Sequence, residues 1–278
     1  MTELSIGYSP CPNDTFIFHA LVHGLVHTGA ISFAPPLLED VETLNRWAME
    51  ARLDVSKLSF HALGHVLDRY VMLASGAALG RGCGPLLVTT PERAGGDPAG
   101  WTVAIPGEFT TAALLLALYA PGHGQAEVMR FDRIMSAVRS GRVEAGLVIH
   151  EGRFTYQAQG LVCVCDLGRW WEEETGLPIP LGCIAARRSL DASVVAAVEE
   201  AIRASILAAR ARPGASLPYI RQHARELDPE VISSHIGLYV NDFSVDLGEE
   251  GMAAVQELLR RGRRAGIFPH SARLENER

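Results

Sequence analysis

Cysteine is scarce in this chain: five residues in 278, an odd number without regular spacing, which argues against a disulfide framework and for reduced thiols. Cys163 and Cys165 in LVCVCDL share one face of an expected strand and read as small buried residues. Long apolar runs are missing too. Nowhere do about 18 apolar residues follow one another, and MTELSIGYSP lacks the basic start, apolar centre and small-residue cleavage site of a secretory leader. The expectation is a soluble, cytoplasmic protein with no membrane partner. Basic runs are also absent: the 25 Lys and Arg are scattered through a chain of formal net charge −7, which leaves no footprint for nucleic acid.

Signatures of metal and cofactor chemistry are equally lacking. His19, His23 and His27 fall at helical spacing, and His61 and His65 repeat the step, but HALVH carries alanine where a zinc peptidase carries its glutamate. These histidines read as surface or core-edge residues. GRGCG opens an expected strand and not a helix, so neither the dinucleotide nor the P-loop geometry is met. LSFHA around Ser59 lacks the GxSxG elbow, which removes acyl transfer from consideration.

What the chain does have is apolar bulk and pattern. With 48% apolar and 21% charged residues it can bury the core of two ordinary domains or one large one. Near its start, SPCPNDT separates the alternating Leu4, Ile6 and Tyr8 of a short strand from the apolar run Phe16 to Val26, which reads as a helix. Two prolines make this a stiff turn, Asn13, Asp14 or Thr15 can cap the helix, and the helix start offers a seat for an anion.

The pattern then repeats. WTVAIPGEFTTAALLLAL is again strand, proline-bearing loop and helix, with Thr110 and Thr111 at the helix start as caps or ligand contacts. DVETLNRWAMEARLDVSKLSFHAL places Val41, Leu44, Trp47, Ala48 and Ala51 at helical spacing before a strand ending in Lys57, Leu58 and Ser59. FDRIMSAVRSGRVEAGLVIHEGRF matches it, with Gly141 as helix stop and a strand ending in His150 and Glu151. Two similar α/β units with mainly parallel sheets follow, and ligands of such sheets gather outside the carboxyl ends of the strands. SPCPNDT, KLS, PGEFTT and IHEGR all satisfy that rule. GRGCGPLLVTT and LPIPLGCIAARR read as segments crossing between units, which divides the chain into lobe I at 1–88, an inserted lobe II at 89–180, and the mostly helical remainder of lobe I at 181–278. Within that remainder a proline break at Pro213 interrupts the helices, and the polar tail SARLENER is expected to fray. The whole resembles the type II periplasmic-binding-protein fold, two lobes closing on a cleft.

His150 is the leading chemical candidate. At the end of the apolar run AGLVI its imidazole can accept a proton at neutral pH, or can simply hydrogen-bond the strand end. Glu151 alternates to the other face, which makes the two a poor metal pair. Lys57 reads as a solvated strand-end charge.

SPCPNDTF, LEDVETLNRWA, KLSFHAL, SGAALGRGCGPL, GLVIHEGRFTY and YVNDFSVDLGEEG, in that order from Leu4 to about residue 260, together resemble the 1,4-dihydroxy-6-naphthoate synthases of menaquinone biosynthesis by the futalosine route. The resemblance implies a lyase that splits cyclic dehypoxanthinylfutalosine, a spirocyclic carboxylate with a ribose-derived ring, to 1,4-dihydroxy-6-naphthoate without metal or organic cofactor. It also implies that His150 is the general base, with Lys57, Leu58, Ser59, Thr110 and Thr111 in the substrate-contacting segments. Ser9, Asn13, Asp14 and Thr15 of SPCPNDT and Arg153 of IHEGR complete the candidate set around this small-molecule carboxylate, and a homodimer is left open. Two alternatives stand beside this reading: chorismate dehydratase, similar in fold and from the same pathway, and a solute-binding protein without catalysis.

Overall fold

The computed structural model describes every residue except Met1, Asp97, His123, 225–227, His270, Ala272, Arg273 and 275–278, so most of the tail expected to fray lies outside the described residues. Two sheets carry the chain. In the first, strands run in the spatial order Leu37–Leu38, Ile6–Tyr8, Val55–Ser59, Ile179–Arg187 and Tyr70–Met72, with Ala78–Gly80 pairing further along Ile179–Arg187. In the second the order is Ala126–Val128, Val103–Ile105, Ala145–Val148, Leu86–Thr89 and Val162–Asp166. Thr2–Leu4 and Ile31–Phe33 form a separate parallel pair.

The expectation of mainly parallel sheets is corrected. Ile6–Tyr8 is parallel to Val55–Ser59, and Val103–Ile105 to both its neighbours, but Ile179–Arg187 and Leu86–Thr89 run antiparallel to every strand they pair with. A parallel neighbour needs a crossover element. These two strands instead receive the chain from the other sheet, so the βα pattern carries no information about their direction.

The first helix, Pro12–Val22, starts four residues before the expected Phe16 and ends before the expected Val26. Cys11 is its cap position, with extended backbone and no capping side chain, and Pro12 takes the first helical position, where its missing N–H is not needed. Asn13, Asp14 and Thr15 are therefore first-turn residues and not caps. Ten of the helix's eleven residues are buried. Its far side lies on Ala192–Ala211, where Ser205 Oγ donates to Ile17 O at 2.6 Å and accepts from Leu21 N at 3.0 Å. The helix Val41–Met49 is shorter than its sequence pattern: Ala51 has left the helix and adopts a left-handed backbone, φ 51°. Beyond Ala211 the turn at Pro213–Ser216 leads to helices Leu217–His223, Pro229–Tyr239, Asp242–Val245 and Gly248–Arg264. The second of these reaches back to Pro12–Val22 and to Ala78–Gly80, which brings it to the first sheet. Among the described residues no helix is long and apolar enough to cross a membrane.

Candidate active site

The carboxyl ends of Val55–Ser59 and Ala145–Val148 and the starts of helices Pro12–Val22 and Thr111–Tyr119 converge on one cavity of about 670 Å³, counted with its open mouth. Ser9, Asn13, Asp14, Lys57, Leu58, Ser59, Thr110, Thr111 and His150 all line it. Thr15 and Arg153 do not. Thr15 Oγ1 turns back to Cys11 O at 3.0 Å, and the Arg153 guanidinium donates to Gly84 O and Asp166 Oδ2, both at 2.6 Å.

The polar floor is an ion pair. Lys57 Nζ lies 3.0 Å from Asp14 Oδ1, with both side chains almost fully buried. Asp14 Oδ1 also accepts from Asn13 Nδ2 at 2.8 Å, and Oδ2 accepts from Ser9 Oγ at 2.7 Å and Ser9 N at 3.2 Å. The anion at the start of this helix is thus the chain's own carboxylate. Lys57 is the chain's single lysine, every other basic side chain being arginine, and it is buried where a solvated charge was expected. Its stem packs on Gly182, where an added Cβ would come within 3.3 Å of Lys57 Cε and 2.9 Å of Leu58 O.

On the opposite wall Thr110 caps Thr111–Tyr119, its Oγ1 accepting from Ala113 N at 3.3 Å and donating to Gly107 O at 2.8 Å. Thr111 Oγ1 accepts from Phe60 N at 3.0 Å and donates to Leu181 O at 2.5 Å, so its hydroxyl joins the two sheets' connections at the cavity edge. Two residues not anticipated from sequence hold this wall in place. Glu42 accepts from the backbone N–H of Glu108 and Phe109, both at 3.1 Å, and Asn45 bonds both Ser59 and Phe109 O. Burial pushes the Glu42 carboxyl above its ordinary range.

The strand expected to end in His150 and Glu151 ends at Val148. His150 follows in a left-handed conformation, φ 54°, which a side chain with a Cβ rarely adopts and which recurs at functional sites. The alternation argument that separated His150 from Glu151 therefore fails. Cys11 Sγ, His150 and Glu151 bring ligand-type atoms within 4.8 Å of one another, the single group of three His, Cys, Asp or Glu among the described residues that does so. Thiolate, imidazole and carboxylate together could hold a borderline ion such as zinc. Burial opposes the thiolate such an ion needs, raising the Cys11 thiol well above its ordinary pKa, with Glu151 adding to the rise.

His150 Nδ1 lies 3.1 Å from Cys11 Sγ, and the Phe131 ring packs 5.1 Å from the imidazole. Burial lowers the imidazole pKa below 6.5; Glu151 and Asp14 oppose that shift and Lys57 reinforces it. A neutral imidazole anchored through Nδ1, with Nε2 bonded to no described residue, is the form of a base.

The chain matches the model of a family described as "Menaquinone biosynthesis" over residues 4–264. It is 54% identical over 274 residues to 1,4-dihydroxy-6-naphthoate synthase of Thermus thermophilus, covering 98% of each protein. The chain belongs to the menaquinone-biosynthesis family. A second relative, the synthase of the same name from Streptomyces coelicolor, is 51% identical over 275 residues, covering 96% of this chain and 95% of that protein. Among solved structures, protein AF1704 of Archaeoglobus fulgidus superposes with a TM-score of 0.90 at 38% identity, over 96% of this chain and 98% of its own. The ligand-binding component of an ABC-type import system from Staphylococcus aureus superposes with a TM-score of 0.70 at 15% identity, over 99% and 97%, which shows a shared fold. The architecture is thus the two-lobed periplasmic-binding-protein-like α/β fold, and this family member is an enzyme of menaquinone biosynthesis.

In this family member two further polar cavity residues come from the helix Pro229–Tyr239: His235 and Tyr239, one turn apart. The signal was present in the polar-aromatic spacing of HIGLY, but nothing local ties that helix to the loop at Asn13. His19, His23, His61 and His65 sit at the surface or the core edge, as their spacing suggested. His19 and His23 pack tilted at 4.6 Å beside Tyr219, and His61 and His65 pack with Phe109 and Phe268.

Proposed function

We propose that this enzyme is a carbon–carbon lyase acting in the cytoplasm, converting cyclic dehypoxanthinylfutalosine to 1,4-dihydroxy-6-naphthoate with His150 as general base and no cofactor. The observation that carries the reading is His150 itself, held neutral in a strained turn at the cavity wall with Nδ1 engaged by Cys11. Nε2 takes a proton from the substrate, the electron pair released breaks the carbon–carbon bond to the sugar-derived fragment, and the aromatic ring so formed drives the step. The protein supplies orientation, one base and a positive charge beside developing negative charge. Lys57 brings such a charge to the cavity wall, and its pairing with Asp14 fixes it in place before substrate arrives. Ser9, Ser59, Thr110 and Thr111 line the cavity, and we assign them to the substrate's carboxylate and ring hydroxyls.

The test is direct. Purified protein is incubated with cyclic dehypoxanthinylfutalosine, 1,4-dihydroxy-6-naphthoate is followed by chromatography, and His150→Ala is run beside wild type. Product from wild type and a loss of at least about a hundredfold in the variant is the expected result. Folded wild type that yields no product overturns the reaction, with chorismate the next substrate to try. Equal product from both proteins keeps the reaction and removes His150 as its base.

A further inference from the structure

His235 carries a buried hydrogen-bonding atom with no partner among the described residues. The side chain is 1% exposed and lines the cavity, its ring centroid 6.1 Å from that of His150, and its Nδ1 makes no hydrogen bond to any described residue. The other ring nitrogen, Nε2, lies 2.9 Å from Asn13 Oδ1. The orientation of that amide is fixed from its far side: Asn13 Nδ2 lies 2.8 Å from Asp14 Oδ1, a carboxylate oxygen that also meets Lys57 Nζ at 3.0 Å. Turning the amide over would set oxygen against oxygen, so Nδ2 faces Asp14 and the carbonyl faces His235. A carbonyl only accepts, so Nε2 carries the proton. A proton on Nδ1 as well would be a buried charged donor with no described acceptor beside it, so the second nitrogen is bare. The chain of contacts from Lys57 through Asp14 and Asn13 therefore selects one tautomer of His235 and leaves an acceptor lone pair at the cavity.

We infer that His235 Nδ1 accepts a hydrogen bond from a hydroxyl on the sugar-derived ring of the substrate, making His235 a substrate-binding and specificity residue. The inference rests on the reaction proposed above. A bare acceptor on the cavity wall is satisfied only by a donor, a cavity water or a ligand group that displaces it, and a carboxylate or a ring face cannot be that donor. Hydroxyls on the ribose-derived ring can. Sites built around a polar partner discriminate strongly against analogues that lack it, because the buried group is then left unpaired.

The experiment compares wild type, His235→Gln and His235→Asn on cyclic dehypoxanthinylfutalosine and on analogues in which each sugar hydroxyl is replaced in turn by hydrogen. Gln keeps a donor toward Asn13 and loses the acceptor at Nδ1; Asn places an amide oxygen near the Nδ1 position. For wild type, one deoxy analogue is expected to lose about ten- to a hundredfold in kcat/KM, chiefly through KM. His235→Gln should lose a similar factor on the full substrate and nothing further on that analogue, while His235→Asn recovers part of the loss. Losses that multiply in every combination, or wild type that uses all deoxy analogues as well as the full substrate, overturn the assignment while leaving the reaction intact. The wild-type comparison needs no variant to fold. Absence of turnover by wild type on the full substrate overturns the reaction and this inference together.

Discussion

Lys57 Nζ and Asp14 Oδ1 meet at 3.0 Å in the floor of the cavity, two opposite charges from a strand end and a helix start that are both shut away from water. Removing one member of such a pair leaves the other charge buried without its counter-ion. Asp14→Asn is expected to destabilise the fold by about 3–5 kcal/mol, read from denaturant unfolding, and Lys57→Met by a smaller amount, because Asp14 retains its bonds from Ser9 and Asn13. The double variant should lose clearly less than the sum of the two. Additive losses would show that the charges act independently.

The pH profile of turnover follows from the position of His150. A general base works unprotonated, and burial has lowered this imidazole below 6.5, so the active form persists to lower pH than an exposed histidine would allow. The acid limb of kcat/KM should therefore have its midpoint below 6.5. Because Lys57 contributes to the lowering, Lys57→Met should move that acid limb upward, whatever it does to the rate itself. A limb at or above 6.5 in wild type, or one that Lys57→Met leaves in place, would contradict the assignment.

Cys11 is expected to matter through His150 and not through its own nucleophilicity, since burial keeps the thiol protonated. For Nε2 to accept a proton, Nδ1 must keep its own and direct it at Sγ, 3.1 Å away. Cys11→Ala removes that partner and should lower kcat by about tenfold with little change in KM, as expected for one lost buried hydrogen bond. Nitrogen chemical shifts of the His150 ring provide the decisive readout: the variant should show a mixture of tautomers where wild type shows one. Unchanged shifts with unchanged kcat would mean that the turn alone orients the ring.

The elements that meet at the cavity were readable because each is local. Strand, polar loop and helix recur within about twenty residues, and KLS, PGEFTT and SPCPNDT all arrive where the carboxyl-end rule sends them. The turn at His150 was not readable, because only its left-handed backbone sends His150 and Glu151 toward the same place, and no residue pattern marks a histidine for that conformation. Lys57 was misjudged for a related reason: burial of its charge depends on Asp14, 43 positions away and on another element. The bond from His235 to Asn13 spans 222 positions, beyond any periodicity argument. Strand direction failed where the chain changed sheets, a step that leaves no helix to signal it.

Acid should weaken the fold through His61. Its Nδ1 donates to Thr110 O at 3.1 Å, its ring packs against Phe268 and Phe109, and burial, reinforced by His65, brings its pKa down to about 4. The unfolded chain binds this proton with an ordinary pKa near 6.5, so between 6.5 and about 4 the unfolded state holds more protons than the folded one. The contribution is present in full above pH 6.5 and is lost progressively as pH falls through that window, by an amount on the order of 3 kcal/mol. Unfolding free energies measured across this range for wild type and His61→Gln test it. Gln cannot titrate, so the variant's stability should fall less steeply with acid, even if it starts lower at pH 7. Parallel curves for the two proteins would place the acid sensitivity elsewhere in the chain.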